Sequence, residues 1–583
     1  MKYLKPFPAL SFHRINKVSL HPFDPSCLRV FVLSCFLLFG SIAYGQSPNC
    51  YRITFSDKNS SPYSIERPEE FLSPRAIAKR ERFNIPITEQ DFPVNPQYIQ
   101  QITSTINTPI QIIASSKWNN SVVLYFPEND DCQAIVDEIL GLFSFVVDAL
   151  PVAFYDVSKK TETPPYEQLS DAIVYNPSCD YNYGGSLVNI RLNRGDDLHK
   201  AGFCGENMLI CVFDVGWNNF DKLSCFKPLY DNGQILGARD LIPGVNDVYS
   251  GHSHGTIVTS EIASDIEGKM IGTAPKATYF FIRSDDPWRE QLVEEDFYAQ
   301  AAEIADSLGA DVTSASLGYT TFDYDWQNIY SSANNDGITS IASRAASILT
   351  HKGIIVVNAA GNEGTSPWHY IGRPADAFDI LAIAAVDRNG NIASYSSYGP
   401  SADGRVKPDV AAAGDGSFVV TDGGIIGGYG SGTSCAAPII AGLSACLWQA
   451  LPQYTSLEIM DLIRKYGNSY NNPNNRTGYG VPNFYQCYLD ETVGVLEMIK
   501  PEVLVYPNPT TGALNLFQET INNEQLTINN VDIFDVYGRK LSSNHPSTSS
   551  SHYLINISHL QPGVYFLMIS TEVGVTTKKI VKY

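Results

Sequence analysis

Three separated stretches carry residue types from which an activated nucleophile can be built. Asp214 closes the apolar run Leu209-Ile210-Cys211-Val212-Phe213 and is followed by Val215-Gly216. His254 stands in Gly251-His252-Ser253-His254-Gly255-Thr256. Ser434 stands in Gly430-Ser431-Gly432-Thr433-Ser434-Cys435-Ala436-Ala437-Pro438. An imidazole can take the proton of a hydroxyl, and a carboxylate can orient and stabilise the imidazole that does so. Each stretch also has a plain reading. A strand-end aspartate is more often a cap or turn residue, and a serine opening a helix is more often an N-cap. His252 and His254 are too few to make a metal site, and His252 reads as structural. A fourth stretch, Asn358-Ala359-Ala360-Gly361-Asn362-Glu363-Gly364, could aim a side-chain amide at a developing oxyanion. Pro438 is expected in the first turn of its helix, where a missing N–H costs nothing.

These groups need a scaffold that brings distant sequence together. Between about 169 and 490, near-continuous apolar strands alternate with longer helical patterns. Leu209 to Phe213 and Gly353-Ile354-Ile355-Val356-Val357 read as strands buried on both faces. Ile257 to Asp265, Phe297 to Leu308 and Ser434 to Leu451 read as helices. The expectation is an α/β, doubly wound, mostly parallel sheet, with its site at the carboxyl ends of the strands.

The order Asp, His, Ser is the one known for subtilisin. The middle unit resembles the subtilisin-like serine peptidases over about 300 residues. The carrying residues are His254-Gly255-Thr256, Gly272-Thr273-Ala274-Pro275, Ser316-Leu317-Gly318, Ala360-Gly361-Asn362 and Gly432-Thr433-Ser434 with Ala437-Pro438. The resemblance implies a secreted serine endopeptidase that hydrolyses peptide bonds through an acyl-enzyme. It implies Asp214, His254 and Ser434 as the triad and Asn362 in the oxyanion hole. Ser316, Leu317 and Gly318 would bind the substrate, a polypeptide paired as an added strand. No cofactor is required. Structural calcium is common in the family, but no ligand set can be placed here. The departure is Cys435, where the family most often has Met. It reads as a small buried hydrophobe; the alternative is a thiol that confers sensitivity to mercurials. The rival class is a catalytically inactive relative that binds peptides. An α/β-hydrolase would carry its triad in the order Ser, Asp, His, not Asp, His, Ser.

Residues 1–45 read as a signal peptide: a basic leader, the apolar run Val30 to Gly40, then Ala43 and Gly45 before Gln46. No later stretch reads as a membrane span, so the mature form is expected to have none. Residues 46–168 hold β-rich runs around the basic helical piece Ser73 to Arg82 and resemble the pro-region of exported relatives; the alternative is an independent binding domain. Residues 491–502 read as a linker. Residues 503–583 hold short strands and turns and resemble the C-terminal domains sorted by the type IX secretion route of Bacteroidetes. Tyr506-Pro507-Asn508-Pro509, Leu560-Gln561-Pro562-Gly563-Val564-Tyr565 and Lys578-Lys579-Ile580-Val581-Lys582 carry that resemblance. It implies the secretion machinery as a partner and a secreted or surface-attached product; the alternative is an adhesive β-domain. The whole is then a subtilisin-like sheet with an α+β pro-region and an all-β sandwich-like tail, expected to act as a monomer. The net charge of −21 gives nothing for a phosphate backbone to attract, so nucleic acid is excluded as a partner. Without the signal, nine cysteines remain, so at least one thiol is free or pairs between chains. No zinc spacing is present.

Overall fold

The computed structural model describes residues 47–127, 131–155, 179–244, 247–421, 423–498, 503–518, 528–536, 538–544, 552–571 and 574–583. The signal peptide and the stretch 158–168 lie outside the described residues. The helix Phe484–Met498 carries the chain into 491–502.

The first unit is an antiparallel sheet of β1 (Cys50–Phe55), β2 (Gln111–Ser116), β3 (Ser121–Tyr125) and β4 (Val146–Ala153), in the order β2-β3-β1-β4. Strand alternation gives it two apolar faces. Tyr51, Ile53, Phe55, Val122 and Leu124 pack with Ile102 and Ile139 of its own helices. Cys50, Val123 and Tyr125 turn the other way and join Phe297 and Tyr298 of the peptidase unit. The basic helix α1 (Pro74–Arg82), capped by Ser73, lies at the same seam.

The middle unit is an eight-stranded sheet. Its strands are β5 (Leu209–Asp214), β6 (Ile235–Asp240), β7 (Thr278–Arg283), β8 (Val312–Ala315), β9 (Ile355–Ala359), β10 (Leu381–Asp387), β11 (Val410–Val420) and β12 (Ile426–Ser431). The order is β12-β11-β10-β9-β8-β5-β7-β6, parallel except for β12 against β11. The sequence of β5 is apolar throughout because both faces are covered. Ile210 and Val212 enter one core; Leu209, Cys211 and Phe213 enter the other. The order reverses at β5, with β7 on one side and β8 on the other, which opens a crevice at their carboxyl ends. Helix α2 (His254–Ala263) and the central helix α3 (Thr433–Ala450) cover one face. Helix α4 (Glu294–Leu308) covers the other, toward the first unit. Contrary to the sequence expectation, α3 has the length and composition of a membrane span. Its 18 residues are apolar all round because 83% of them are buried inside the fold.

Charged residues of the first unit meet partners of opposite charge in the peptidase unit, most of them on α4. Arg52 Nε and Nη2 each donate to one Asp296 oxygen at 2.6 Å. Arg80 lies between Asp91 at 3.1 Å and Asp306 at 2.8 Å, while Lys117 reaches Asp306 and Lys352 reaches Asp91. Burial opposes ionisation of Asp91, yet Arg80 and Lys352 outweigh it and bring its carboxyl down to about 2. Removing one member of such a buried network strands the others. Arg80→Met in an uncleaved Ser434→Ala chain is expected to lose about 3–5 kcal/mol of stability. A urea transition with an unchanged midpoint would show that the network is not needed.

The last unit packs two sheets face to face. Val503–Tyr506, Ala513–Gln518 and His552–Asn556 form one; Ile528–Phe534, Lys540–Asn544, Gly563–Thr571 and Gly574–Lys582 form the other. Leu514, Leu516, Ile555, Val531, Ile533, Leu567 and Ile569 fill the space between them. Cys179 and Cys204 form a disulfide, and the other seven described cysteines are buried and in no disulfide.

Candidate active site

Asp214 ends β5, fully buried, and His254 opens α2. The imidazole Nδ1 lies 2.8 Å from one Asp214 oxygen and 3.0 Å from the other. The helix can start at His254 because glycine follows. A Cβ on Gly255 would stand 2.6 Å from the Gly216 carbonyl and 2.8 Å from the Trp217 ring. His252 accepts the His254 N–H at 3.2 Å, in keeping with its structural reading. Burial pushes the His254 imidazolium down, but the Asp214 charge and hydrogen bond more than offset this, so it titrates above its ordinary value.

Ser434 lies in the first turn of α3, but it is not the N-cap. That position is Gly432, at φ 156° and ψ 158°, a region open essentially to glycine alone. The plain-cap reading therefore falls on Gly432. Pro438 lies inside the helix, one turn past Ser434, and not in the first turn. Its missing N–H leaves the Ser434 carbonyl without a helical donor. The Ser316 hydroxyl supplies one at 2.9 Å, and Ser434 Oγ donates back to the Ser316 carbonyl at 3.3 Å. Ser316 thus ties the end of β8 to the helix turn.

Asn362 is oriented by Thr433. Its Oδ1 accepts the Thr433 N–H at 2.9 Å and the Thr433 hydroxyl at 3.2 Å, which turns Nδ2 away from the helix. Nδ2 and the Ser434 N–H, a first-turn donor no helix carbonyl can reach, each lie 3.6 Å from the point a Gly432 Cβ would occupy. The two donors therefore lie near one another at the turn that carries Ser434. Leu317 is placed by Asn358, whose Nδ2 donates to its carbonyl at 2.9 Å. Gly318 follows on the cleft wall, before Tyr319 pairs with Arg373. His254, Ser316, Leu317, Gly318, Asn362 and Ser434 all line one cleft of about 330 Å³, with Asp214 buried beneath His254.

Sequence reading passed over three groups here. Arg283, buried at the end of β7, pairs in register with Asp214. It bonds Asp240 and the Val248 and Ser250 carbonyls, which pins the loop leading to His254. A charge closing the neighbouring apolar strand was the available signal. Asp285, buried on the cleft wall, has its carboxyl pushed up to about 7, first by burial. Thr433 orients Asn362. Cys435 is buried, and burial with Glu261 beside it keeps it a protonated thiol. It is not among the cleft-lining residues.

Comparison with known proteins agrees with this architecture. The subtilase family model matches residues 205–480. The peptidase S8 propeptide domain of Bacteroidota matches 50–163, and the secretion system C-terminal sorting domain matches 504–583. Subtilisin NAT of Bacillus subtilis subsp. natto is 28% identical over 319 residues, 54% of this chain and 73% of its own. Subtilisin BL of Lederbergia lenta is 27% identical over 277 residues, 47% of this chain and 89% of its own. The solved self-cleaved protease domain of PatA aligns with 50% of this chain and 98% of its own, at 22% identity and a TM-score of 0.40. Fold and matches together define a serine-type endopeptidase. The peptidase unit matches the subtilase family, with a Bacteroidota propeptide match before it and a sorting-domain match after it. That sorting domain directs it by type IX secretion to the cell surface or the medium.

Proposed function

We propose that Asp214, His254 and Ser434 act as one catalytic triad on polypeptide substrates. The observation that carries this is the Asp214–His254 pair in one cleft with Ser434 and two neighbouring N–H donors. Ser434 Oγ leaves its bond to the Ser316 carbonyl, gives its proton to His254 and attacks the peptide carbonyl. Hydrogen bonds of this kind often form only once substrate is bound. Asp214 holds the imidazole with Nδ1–H toward the carboxylate and stabilises the imidazolium. The oxyanion is held by the Ser434 N–H and Asn362 Nδ2. His254 then protonates the leaving amine, and water hydrolyses the acyl-enzyme by the same steps in reverse. Ser316, Leu317 and Gly318 pair with extended substrate, which selects unfolded or loop segments. No step needs a cofactor. Among the described residues no group of three or more His, Cys, Asp or Glu could hold a metal ion.

Under this reading residues 1–45 are a signal peptide and 46–168 a pro-region that assists folding and inhibits until cleaved. Residues 169–490 are the peptidase, 491–502 a linker and 503–583 the sorting domain, engaged by the secretion machinery; the product works as a monomer. A fluorophosphonate probe tests the reading: it is expected to label Ser434 in the processed protein and to lose that labelling in His254→Ala. A folded wild type that neither labels nor cleaves casein is the inactive peptide binder.

The pH profile follows from the geometry. His254 must be neutral to act as base, so kcat/KM rises with pH through a value above its ordinary pKa. Asp285 adds negative charge near it and favours the imidazolium. Asp285→Asn is therefore expected to move the acid limb to lower pH. A pH–rate profile with an unmoved limb would separate Asp285 from His254.

A further inference from the structure

Glu261 lies on α2, seven residues after His254, and is 1% exposed. Neither of its carboxyl oxygens has a hydrogen-bond partner of normal geometry among the described residues. Its polar neighbours are the Ser417 hydroxyl of β11 and the Cys435 thiol of α3. Ser417 donates elsewhere, to the Ala413 carbonyl. Cys435 is the residue after Ser434, and its sulfur faces Gly430. The elements packed on α2 include α3, β11 and β5. Their titratable groups are Cys435 and Cys446 on α3, Asp415 on β11, and Cys211 and Asp214 on β5. Of these only Cys435 acts on the Glu261 carboxyl, and no cation does. Burial therefore holds this acid well above the usual carboxylate range.

A buried, unpaired acid is costly unless something retains it. Its position is the clue: it neighbours Cys435, the residue directly after Ser434. We propose that Glu261 is a positioning residue for acyl transfer, a buried carboxyl group packed against Cys435 that holds the turn bearing Ser434. This rests on the triad reading above. Two consequences follow. Truncation removes the support beside Cys435 and lets the turn shift, which lowers kcat while leaving substrate binding intact. Ionisation at alkaline pH places an unpaired negative charge beside the N-terminal turn of α3, opposing the positive end of the helix that faces the oxyanion. Turnover then falls at high pH.

The test uses the full-length chain after processing, as wild type, Glu261→Ala and Glu261→Gln, with kcat and KM on a peptide substrate from pH 5 to 10. Glu261→Ala is expected to lower kcat about tenfold or more at constant KM, the signature of an interaction felt in the transition state. Glu261→Gln, with the same shape and no acidic proton, is expected to recover most of that loss and to abolish the alkaline fall. A Gln variant that keeps the wild-type alkaline limb overturns the proposal, as does a folded Ala variant with wild-type kcat. Fluorophosphonate labelling separates the two readings. If wild type does not label, the triad reading fails; if it labels and the Glu261 variants behave as wild type, only the role of Glu261 fails.

Discussion

Ser434→Ala is expected to yield a full-length chain that retains its pro-region and cleaves casein on the order of 10⁶-fold more slowly, a loss of the size known for the subtilisin triad. The reason is the placement of this one hydroxyl. It lies in the first turn of α3, tied to the end of β8 through Ser316, with the Asp214–His254 pair across the same cleft. Ser316 spends its own hydroxyl on the Ser434 carbonyl, and Thr433 spends its own on Asn362. Cys435 cannot substitute, because it is a buried, protonated thiol outside the cleft. Residual catalysis above the uncatalysed rate comes from the remaining donors and from binding. The measurement is casein hydrolysis with N-terminal sequencing of both products. A variant that is processed and active like wild type would remove Ser434 from the mechanism.

Asn362→Ala is expected to lower kcat by roughly 10²–10³-fold with KM little changed. Its Nδ2 is turned outward by the two bonds Thr433 gives to its Oδ1, so the amide is oriented before any substrate arrives. A donor aimed where charge develops acts mainly in the transition state, which is why kcat and not KM responds. Asn362→Asp is expected to be at least as damaging, since it replaces a donor by a negative charge. Steady-state kinetics on one peptide substrate decides it. A rise in KM at constant kcat would mean that the amide binds substrate and not the oxyanion.

The chemical inventory was legible in the chain. Asp214, His254, Asn362 and Ser434 sit in short glycine-flanked motifs whose local geometry is set by neighbours a few residues away. The doubly wound sheet was legible for a related reason. Strands buried on both faces must be apolar throughout, as Leu209 to Phe213 are, and that pattern needs no partner to be recognised. Element ends were less so. The start of α2 at His254 depends on Gly255 fitting against Gly216 and Trp217, and the place of Pro438 inside α3 depends on Ser316 arriving from another strand.

The sequence by itself determined which groups are available, in what order, and on what kind of scaffold, because composition, spacing and periodicity are local properties. Only the tertiary structure decided how they are held. The clamp of Arg283 on the loop before His254, the Thr433 orientation of Asn362, the Cys179–Cys204 pair and the seam of ion pairs along α4 each join residues far apart in the chain. The raised pKa of the Glu261 carboxyl beside Cys435 comes from burial. Burial and long-range contact arise when strands and helices pack, and no local pattern encodes which distant partner will be met.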